Sequence, residues 1–459
     1  MKPLRPSPSA LFLSVFAVLV VGVAVSRAEE LGAPLPPADV PGAVAVRSDG
    51  GAPPEVAPSA EASAPAAPVA EPAVLTGEPI GDASALPPEA RPAHAAVRIG
   101  EPRYDASTGR YVASLGSGRA TLTIDARLQE RLERSLEGYR VPWGATVLLE
   151  PRTGRVLALA EHSRAEPNRK GIALTAMAPA ASVFKIVTAA ALLEKGAADG
   201  EVCWHGGKHR LDPKLLRDDP RRDRRCSSLT SAFGHSTNVV FAKLADRDLD
   251  PATLRSVAER FQFNVPIEFP RPVDVSTARV PDDPFAAANT AAGFGAVRLS
   301  PLHGALLAAI VANGGVYVPP ALVEDAVGAP LPEPGAPARV VDAQVAARLA
   351  EMMRETVSAG TARKAFRRVG SPLRGVTVAG KTGSLSDVRP FRDYSWFVGY
   401  APADRPEVAV ATLVVNDRLW HARAPQVAKE ALEAFFSERA LHAHAGATSG
   451  GAVRTAAVR

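Results

Sequence analysis

The sequence predicts an α+β fold in three layers, α/β/α, with a central antiparallel sheet flanked by helices. Two features of the chain favour this fold. Strand-like runs lie at both ends of the folded body, and helical patterns fill most of the interval between them. Strands that are far apart in sequence join one sheet when the two ends of a domain meet, and the intervening helices then cover the sheet.

A strand and an amphipathic helix open the folded body. The strand is predicted over Ala120–Ile124, and Asp125 follows it as a helix N-cap. Three leucines then recur on one face of the helix: Leu128, Leu132 and Leu136. Two apolar runs come next, and Pro151-Arg152-Thr153-Gly154 between them indicates a hairpin. The two runs are Ala145–Glu150 and Val156–Glu161.

The rest of the body is predicted to contain helices followed by strands. The helices span Phe184–Leu193, Ser300–Ile310 and Val341–Val357. The first is apolar nearly all round, which is typical of a helix buried in the centre of a domain. The closing strands span Gly375–Ala379, Tyr394–Tyr400 and Val408–Val415, with Asp387, Pro390 and Pro402 in the turns that join them.

The N-terminus has the pattern of an export signal. Lys2 and Arg5 precede the apolar run Ala10–Val25, and Ser26-Arg27-Ala28 is similar to a small-x-small cleavage site. A positive flank followed by such a run directs a chain out of the cytoplasm. We expect residues 1–28 to be an uncleaved signal-anchor in the cytoplasmic (inner) membrane, with cleavage and release as the alternative. The folded domain would then be periplasmic or otherwise extracytoplasmic.

Composition predicts disorder on both sides of the folded body. The chain has 42 prolines and only 5% aromatic residues, and no Phe, Trp or Tyr occurs from Glu30 to Arg98. Such a segment cannot bury enough apolar surface to offset its ordering entropy. We therefore expect residues 29–98 to be a Pro/Ala-rich tether and residues 442–459 a disordered tail. Residues 99–441 would form the folded domain.

Composition also excludes several kinds of protein. The formal net charge of +5 over 459 residues is too mild to indicate a nucleic-acid partner. Two cysteines are too few for a disulfide-dense scaffold or a four-thiolate zinc site. We expect neither a metal nor another cofactor.

Three short patterns carry the candidate chemistry. In chain order they are Ser182-Val183-Phe184-Lys185, Ser236-Thr237-Asn238 and Lys381-Thr382-Gly383, the last followed by Ser384. Each pattern alone has a structural explanation, such as a surface lysine, a helix cap or a hairpin. Their occurrence together, in this order and within one exported domain, is specific.

The first pattern supplies a nucleophile and a base. Serine is a weak nucleophile unless a base lies within hydrogen-bonding reach, and residues three apart on a helix share one face. Lys185 is therefore expected one turn from Ser182. At an ordinary lysine pKa of about 10.4, only about one amine in 2,500 is neutral at pH 7. Burial in the apolar helix and the charge of Lys381 would both lower the pKa of Lys185.

These motifs resemble those of the penicillin-binding protein transpeptidase domain, which has the β-lactamase/transpeptidase-like fold. The resemblance extends over most of the folded body. Further matching stretches are Asn168-Arg169, Gly295 through Asn313-Gly314-Gly315, Gly360-Thr361-Ala362 and Trp396-Phe397-Val398-Gly399-Tyr400-Ala401-Pro402. The resemblance implies a serine acyltransferase that acts on stem peptides ending in D-Ala-D-Ala and that binds β-lactam antibiotics. Pro179-Ala180-Ala181 before the serine is more similar to some class D β-lactamases and β-lactam sensors.

The resemblance also implies the roles of the reacting residues. Ser182 would be the nucleophile that becomes acylated, and Lys185 would be its general base. Ser236 would pass a proton to the leaving amine. Lys381 would tune the electrostatics of the site.

The remaining motif residues are implied to bind the substrate. Asn238 would hold the substrate amide. Thr382 and Ser384, with Gly383 between them, would bind the terminal carboxylate. The backbone N–H groups of Ser182 and Ser384 would form the oxyanion hole.

The leading interpretation is a D,D-transpeptidase, with several alternatives. A D,D-carboxypeptidase would pass the same acyl group to water, and a class D-like β-lactamase would use a modified lysine. The absence of Glu-x-x-Leu-Asn between Asn238 and Lys381 argues against a class A β-lactamase. From a different class, the protein would be a catalytically slow, β-lactam-binding scaffold of the cell-wall machinery. No glycosyltransferase domain is recognisable, so a separate glycan polymerase is an expected partner.

Three secondary features complete the expectations. Cys203 and Cys226 close a charged segment, and in an oxidising compartment we expect a disulfide worth about 3 kcal/mol. The basic run Arg221–Arg225 is expected to be a solvated loop. His235 is expected to be a packing or rim residue, because the lysine of the first motif already supplies a base.

Overall fold

The structure is a computed structural model that describes residues 98–197, 200–207, 210–333, 335–419 and 421–454. The strands are β1 Arg103–Asp105, β2 Arg110–Leu115, β3 Gly118–Leu122, β4 Trp143–Leu149, β5 Val156–His162, β6 Ala178–Pro179, β7 Glu201–Trp204, β8 Arg225–Ser228, β9 Arg298–Leu299, β10 Val316–Tyr317, β11 Val323–Val327, β12 Ala338–Arg339, β13 Ala379–Val388, β14 Phe391–Ala401 and β15 Val408–Asn416. The helices are α1 Ala126–Gly138, α2 Lys185–Glu194, α3 Leu229–Gly234, α4 Asn238–Asp248, α5 Pro251–Arg260, α6 Pro284–Ala291, α7 Pro301–Ala312, α8 Ala343–Ser358, α9 Arg363–Phe366 and α10 Ala424–Arg454. Short 3₁₀ helices span Ile172–Leu174, Ala181–Phe184, Pro213–Leu216 and Ser371–Leu373.

The largest sheet has five strands in the order β13–β14–β15–β4–β5, and each neighbouring pair is antiparallel. The early strands meet the late ones where β4 pairs with β15. At this junction Thr146 faces Thr412, and their buried hydroxyl groups lie 3.1 Å apart. The two extremities of the folded body therefore build one sheet, which confirms the predicted fold class.

Side chains alternate between the two faces of this sheet. On β4, Val147 and Leu149 belong to the apolar core on one face, and Leu148 belongs to the core on the other. Helix α7 packs on the first face, whereas α1 and α10 cover the second. Helices on both faces give the predicted three layers.

The early elements lie close to their predicted positions. Asp125 caps α1, and its carboxylate accepts a hydrogen bond from the Leu128 N–H at 2.9 Å. The three predicted leucines on α1 are buried. The hairpin of β4 and β5 and the helices α2, α7 and α8 correspond to predicted elements, and Ser300 caps α7.

A second, four-stranded sheet lies beside the first and has the order β1–β2–β3–β11. The strand predicted at Ala120–Ile124 belongs to this sheet as β3. Its partner β11 comes from much later in the chain and pairs Val323 with Leu122. No residue of β11 is fully buried. Its sequence also lacks the alternation of apolar and polar residues that would predict a strand.

The prediction of a strand at Gly375–Ala379 is wrong. The strand begins at Ala379 and continues to Val388, so the third motif lies inside it. Asp387 also belongs to the strand and not to a turn. β13 is an edge strand, where polar side chains are common, and for this reason a search for apolar runs misses it.

The last helix, α10, has no counterpart among the predicted elements. α10 continues to Arg454, so residues 442–454 are helical where composition predicts a disordered tail. Alanine has high helix propensity, and extending an existing helix avoids the cost of nucleation. The predicted signal-anchor, residues 1–28, and all of the predicted tether except Arg98 lie outside the described residues. Among the helices that are described, none is both long and apolar enough to cross a membrane.

Candidate active site

Ser182 lies on a 3₁₀ turn immediately before α2. Ala181 in this turn has a φ of 48°, in the left-handed region that residues with a Cβ rarely adopt. A Cβ on Gly293 would lie 2.7 Å from the Ala181 carbonyl oxygen, so only glycine permits this approach. Trp396 of β14 donates from Nε1 to the Pro179 carbonyl at 2.8 Å. These contacts hold the serine between the helices and the sheet.

Lys185, the first residue of α2, directs its amine at Ser182. Its Nζ lies 3.0 Å from Ser182 Oγ and 2.8 Å from Asn238 Oδ1, and it also donates to the Ala292 carbonyl. The side chain is 0% exposed, and the Phe241 ring lies 5.4 Å from Nζ. Lys185 forms no ion pair with a described residue, so no carboxylate among these residues compensates a positive charge on its amine.

The second motif forms the turn between α3 and α4. Ser236 has a left-handed φ of 56°, and Asn238 is the first residue of α4. Ser236 Oγ accepts a hydrogen bond from Lys381 Nζ at 3.0 Å. Because of this turn, Ser236 contacts the third motif while Asn238 contacts Lys185 of the first.

The third motif lies near the start of β13. Lys381 is 0% exposed, and its Nζ also donates to the Thr382 carbonyl at 3.0 Å. A Cβ on Gly383 would lie 3.1 Å from the Ala180 carbonyl oxygen, so glycine allows β13 to pack against the serine turn. Ser384 is exposed beside this contact. The structure therefore brings the three predicted motifs to one place.

The two buried lysines of the site have lowered pKa values. Burial lowers the pKa of Lys381 to about 7. Burial also lowers the pKa of Lys185 well below its usual value, and the charge of Lys381 lowers it further. Because desolvation disfavours the charged form of lysine, the surroundings of Lys185 favour the free amine that a base requires.

Thr361 is a residue of the site that the three motifs do not identify. Its hydroxyl lies 2.6 Å from the Thr382 hydroxyl, and its N–H donates to the Gly234 carbonyl at 3.0 Å. A Cβ on Gly360 would lie 2.1 Å from that same carbonyl oxygen, so the preceding glycine is required for this close packing. The signal in the sequence was the family-like stretch Gly360-Thr361-Ala362, which carried no role by itself.

The predicted cysteine pair lies outside this site. A disulfide joins Cys203 of β7 to Cys226 of β8, with the two Cα atoms 3.9 Å apart, and the pairing is the one predicted from the sequence.

His235 is exposed, which agrees with a rim position. Across the described residues, no group of three or more His, Cys, Asp or Glu side chains could hold a metal ion.

The basic run Arg221–Arg225 is only partly the solvated loop that was predicted. Asp223 within it has a side chain that is 4% exposed and forms an ion pair with Lys243 of α4 at 2.7 Å. His205 contacts the other carboxylate oxygen of Asp223. Lys243 also donates to the Cys203 carbonyl at 3.0 Å. The disulfide-closed loop is therefore tied to the helix of the second motif.

A protein family whose members carry such motifs matches this chain. The penicillin binding protein transpeptidase domain matches residues 144–436, which is more than half of the chain. The chain belongs to the penicillin-binding protein transpeptidase family. The resemblance predicted from the motifs is thereby confirmed, and the antiparallel sheet with its flanking helices is the fold of that family.

Members of the family from Mycobacterium tuberculosis are similar in both sequence and structure. The peptidoglycan D,D-transpeptidase PbpA is 32% identical over 360 residues, which cover 68% of this chain and 72% of PbpA. The crystal structure of PBPA matches with a TM-score of 0.55 and 28% identity, covering 71% of this chain and 82% of that one. The penicillin G acyl-enzyme complex of the same protein matches with a TM-score of 0.55 and 29% identity, covering 73% and 83%.

Proposed function

We propose that the protein is a peptidoglycan D,D-transpeptidase that cross-links stem peptides through a serine acyl-enzyme and binds penicillin. One observation carries the proposal: a fully buried Lys185 amine lies 3.0 Å from Ser182 Oγ. The relative PbpA is named for this activity, and its penicillin G acyl-enzyme has been solved. The substrate is a stem peptide ending in D-Ala-D-Ala, and β-lactams occupy the same site.

Acylation begins when Ser182 Oγ attacks the carbonyl carbon of the penultimate D-alanine. The hydroxyl proton passes to Lys185 Nζ, an ester forms at Ser182, and the bond to the terminal D-alanine nitrogen breaks. A positioned base of suitable pKa contributes about 10²–10⁴ to such a rate. The lowered pKa of Lys185 supports this role.

The leaving amine takes its proton from Ser236. Lys381 Nζ donates a hydrogen bond to the Ser236 hydroxyl at 3.0 Å, and Lys381 replaces the proton that Ser236 gives away. Burial brings the pKa of Lys381 to about 7, so this group exchanges protons readily near neutral pH. An acceptor amine from a second stem peptide then attacks the ester carbonyl carbon to form the cross-link and gives its proton to Ser236, which passes a proton back to Lys381. The bond from that carbon to Ser182 Oγ breaks, and Lys185 returns its proton to Ser182.

Backbone and polar groups around the serine bind the substrate. Asn238 holds the substrate amide, and Thr382 and Ser384 bind its terminal carboxylate. The N–H groups of Ser182 and Ser384 stabilise the oxyanion. Ser182 precedes α2, where N–H groups without intrahelical partners are available. The exposure of Ser384 beside the motif supports its access to ligand.

The surroundings of Lys185 disfavour a class D-like β-lactamase. That mechanism uses a carbamate on the lysine, which is an anion. The Ala292 carbonyl and Asn238 Oδ1 both accept hydrogen bonds from Nζ, so they would face a carbamate with two acceptor oxygens. A D,D-carboxypeptidase would use the same acyl-enzyme with water in place of the acceptor amine.

The domain acts outside the cytoplasm, attached through its N-terminus. The apolar run Ala10–Val25 with its basic flank supports a membrane anchor, and the proline-rich residues 29–98 support a flexible tether. A glycan polymerase is the partner that provides the strands to be cross-linked.

Fluorescent penicillin labelling tests the acyl-enzyme. The full-length protein should become covalently labelled, and the Ser182→Ala variant should not. Nitrocefin turnover should be slow or absent. Incubation with polymerised stem-peptide substrate and a labelled acceptor amine should yield cross-linked product rather than free D-alanine alone. An unlabelled protein, or equal labelling of the alanine variant, would overturn the proposal, and rapid nitrocefin turnover would identify a β-lactamase.

A further inference from the structure

Residues 361–378 concentrate positive charge in a segment that begins and ends beside the third motif. The segment contains five Lys and Arg residues and no Asp or Glu: Arg363, Lys364, Arg367, Arg368 and Arg374. Five cations and no anion give this short segment a charge of +5, which equals the formal net charge of the entire chain. We call these five residues the basic strip.

The side chains of the basic strip are not used to stabilise the fold. All five residues are exposed, and none forms a side-chain hydrogen bond or an ion pair with a described residue. Arginines elsewhere in the protein do form such pairs, as Arg155 does with Glu324 at 2.9 Å. Like charges at close spacing repel one another, so an uncompensated cluster is suited to an external anion.

The backbone of the segment is nevertheless anchored to the domain. The Phe366 ring packs 5.2 Å from the ring of Phe397, and Leu373 is buried. The Gly370 N–H donates to the Glu433 carboxylate at 2.6 Å. The cations are therefore held on an ordered surface, where their side chains remain available to a ligand.

The apolar residues of the segment narrow the choice of ligand. Phe366, Leu373 and Val378 are buried. Val369 and Val376 are half-buried and pack against the same core, so no large hydrophobic side chain of the segment is exposed. A membrane-surface segment inserts apolar side chains into the bilayer, and a single-stranded nucleic acid stacks on exposed aromatic rings. The basic strip offers neither, so recognition here is electrostatic and suits a flexible, multiply charged anion.

Both ends of the segment lie beside the third motif, and between them it packs on the second face of the sheet, against α10. It begins at Thr361, whose hydroxyl lies 2.6 Å from that of Thr382. It ends at Val378, immediately before the strand that carries Lys381. Arg363 and Lys364 follow Thr361 within three residues, so a polymer with one peptide at the active site would reach this end of the basic strip first.

We propose that the basic strip binds carboxylate-bearing stem peptides of polymeric peptidoglycan outside the active site, along the strand that carries the peptide being cross-linked. This inference rests on the proposed function. Stem peptides carry free carboxylates and recur along each glycan strand, so a strand is a repeating anion. Several weak contacts along one glycan strand raise the effective concentration of the reacting peptide at the active site.

The test is co-sedimentation of the full-length protein with insoluble peptidoglycan after its active site has been acylated with penicillin G. A variant with all five residues of the strip changed to Gln should bind about tenfold more weakly, as expected for several exposed charge contacts. The matched control changes five exposed arginines of the disulfide-closed loop region to Gln: Arg210, Arg217, Arg221, Arg222 and Arg224. This control should bind like the unmodified protein.

Three further measurements complete the test. Peptidoglycan whose carboxylates have been amidated should lose binding to the unmodified protein. Acylation of the strip variant by penicillin G should keep its normal rate, so a failure of the proposed enzymatic function is distinguishable from a failure of the strip. Undiminished binding by the strip variant, equal loss in the control, or unchanged binding to amidated polymer would overturn the proposal. Binding to phosphatidylglycerol vesicles that depends on the strip, without binding to peptidoglycan, would overturn it in favour of a membrane contact.

Discussion

The hydroxyl groups of Thr361 and Thr382 lie 2.6 Å apart at the third motif of the active site. One of them must donate to the other. If Thr361 donates, the proton of Thr382 is free to bind a substrate carboxylate. The Gly234 carbonyl lies 3.4 Å from Thr361 Oγ1 and competes for the Thr361 proton. Thr361 therefore governs which way the Thr382 hydroxyl points, although it carries none of the reacting atoms.

The Thr361→Val variant should acylate more slowly with carboxylate-bearing ligands, by a factor of about 2–10, which corresponds to one lost hydrogen bond. The Thr361→Ser variant keeps the hydroxyl and should retain most of the rate. The measurement compares second-order acylation rates for penicillin G and for its methyl ester, which lacks the carboxylate. Equal losses with both ligands would show a structural defect and not a positioning role.

The Lys185→Met variant should acylate about 10²–10⁴ times more slowly, because the buried base is lost. Lys195 at the end of the same helix is exposed and provides a matched control. The Lys195→Met variant should be unchanged. Stopped-flow acylation by a fluorescent penicillin measures both, and a Lys185→Met variant with nearly full activity would rule out this base.

The pH dependence of acylation should move when Lys381 is replaced by Met. The charge of Lys381 lowers the pKa of Lys185, so removing that charge raises it. A base with a higher pKa is protonated up to a higher pH, and the acidic limb of the profile should therefore shift upward. The readout is the midpoint of that limb and not the rate itself. A midpoint that stays constant or falls would contradict the coupling.

The same substitution should change how stability depends on pH. The pKa of Lys381 is about 7 in the folded protein, against about 10.4 for an unperturbed lysine. Between these values the unfolded state binds more protons, so the free energy of unfolding rises with pH by about 1.4 kcal/mol per unit for this group. Denaturant titrations from pH 7 to 10 should show a smaller rise in Lys381→Met. Parallel pH dependences would contradict the buried position of the charge.

Lys243 should be far more important for stability than its exposed partner Asp218. Lys243 and Asp223 are each only 4% exposed in their side chains, whereas Asp218 is 87% exposed. The Lys243→Met variant leaves Asp223 buried without its cation and should lose about 3–5 kcal/mol. The Asp218→Asn variant should stay within about 0.5 kcal/mol. Chemical denaturation under oxidising conditions measures both, and similar losses would contradict a buried pair.

Short-range features of the fold could be predicted from the sequence with good accuracy. The spacing of Ser182 and Lys185, the Asp125 cap and the leucine face of α1 each depend on residues within one or two helical turns. The hairpin of β4 and β5 likewise depends on a local turn. Such features follow from backbone geometry and apolar periodicity, which the chain carries locally.

The position of β13 could not be predicted in this way. Its Lys381 is fully buried although it is polar, and its neighbours Ser384 and Ser386 break the apolar pattern. The strand is stabilised by pairing with β14 along its whole length. Pairing energy between strands is a tertiary property, so the boundaries of this edge strand depend on its partner.

The sequence by itself determined the family, the order of the three motifs and the pairing of a nucleophile with a base about one helical turn away. Only the tertiary structure decided that Asn238 contacts Lys185, that Ser236 contacts Lys381 and that Thr361 joins the site. Each of these contacts joins residues that are distant along the chain. Their geometry depends on how helices and sheet pack, and the same packing removes the water that would otherwise keep both lysines charged.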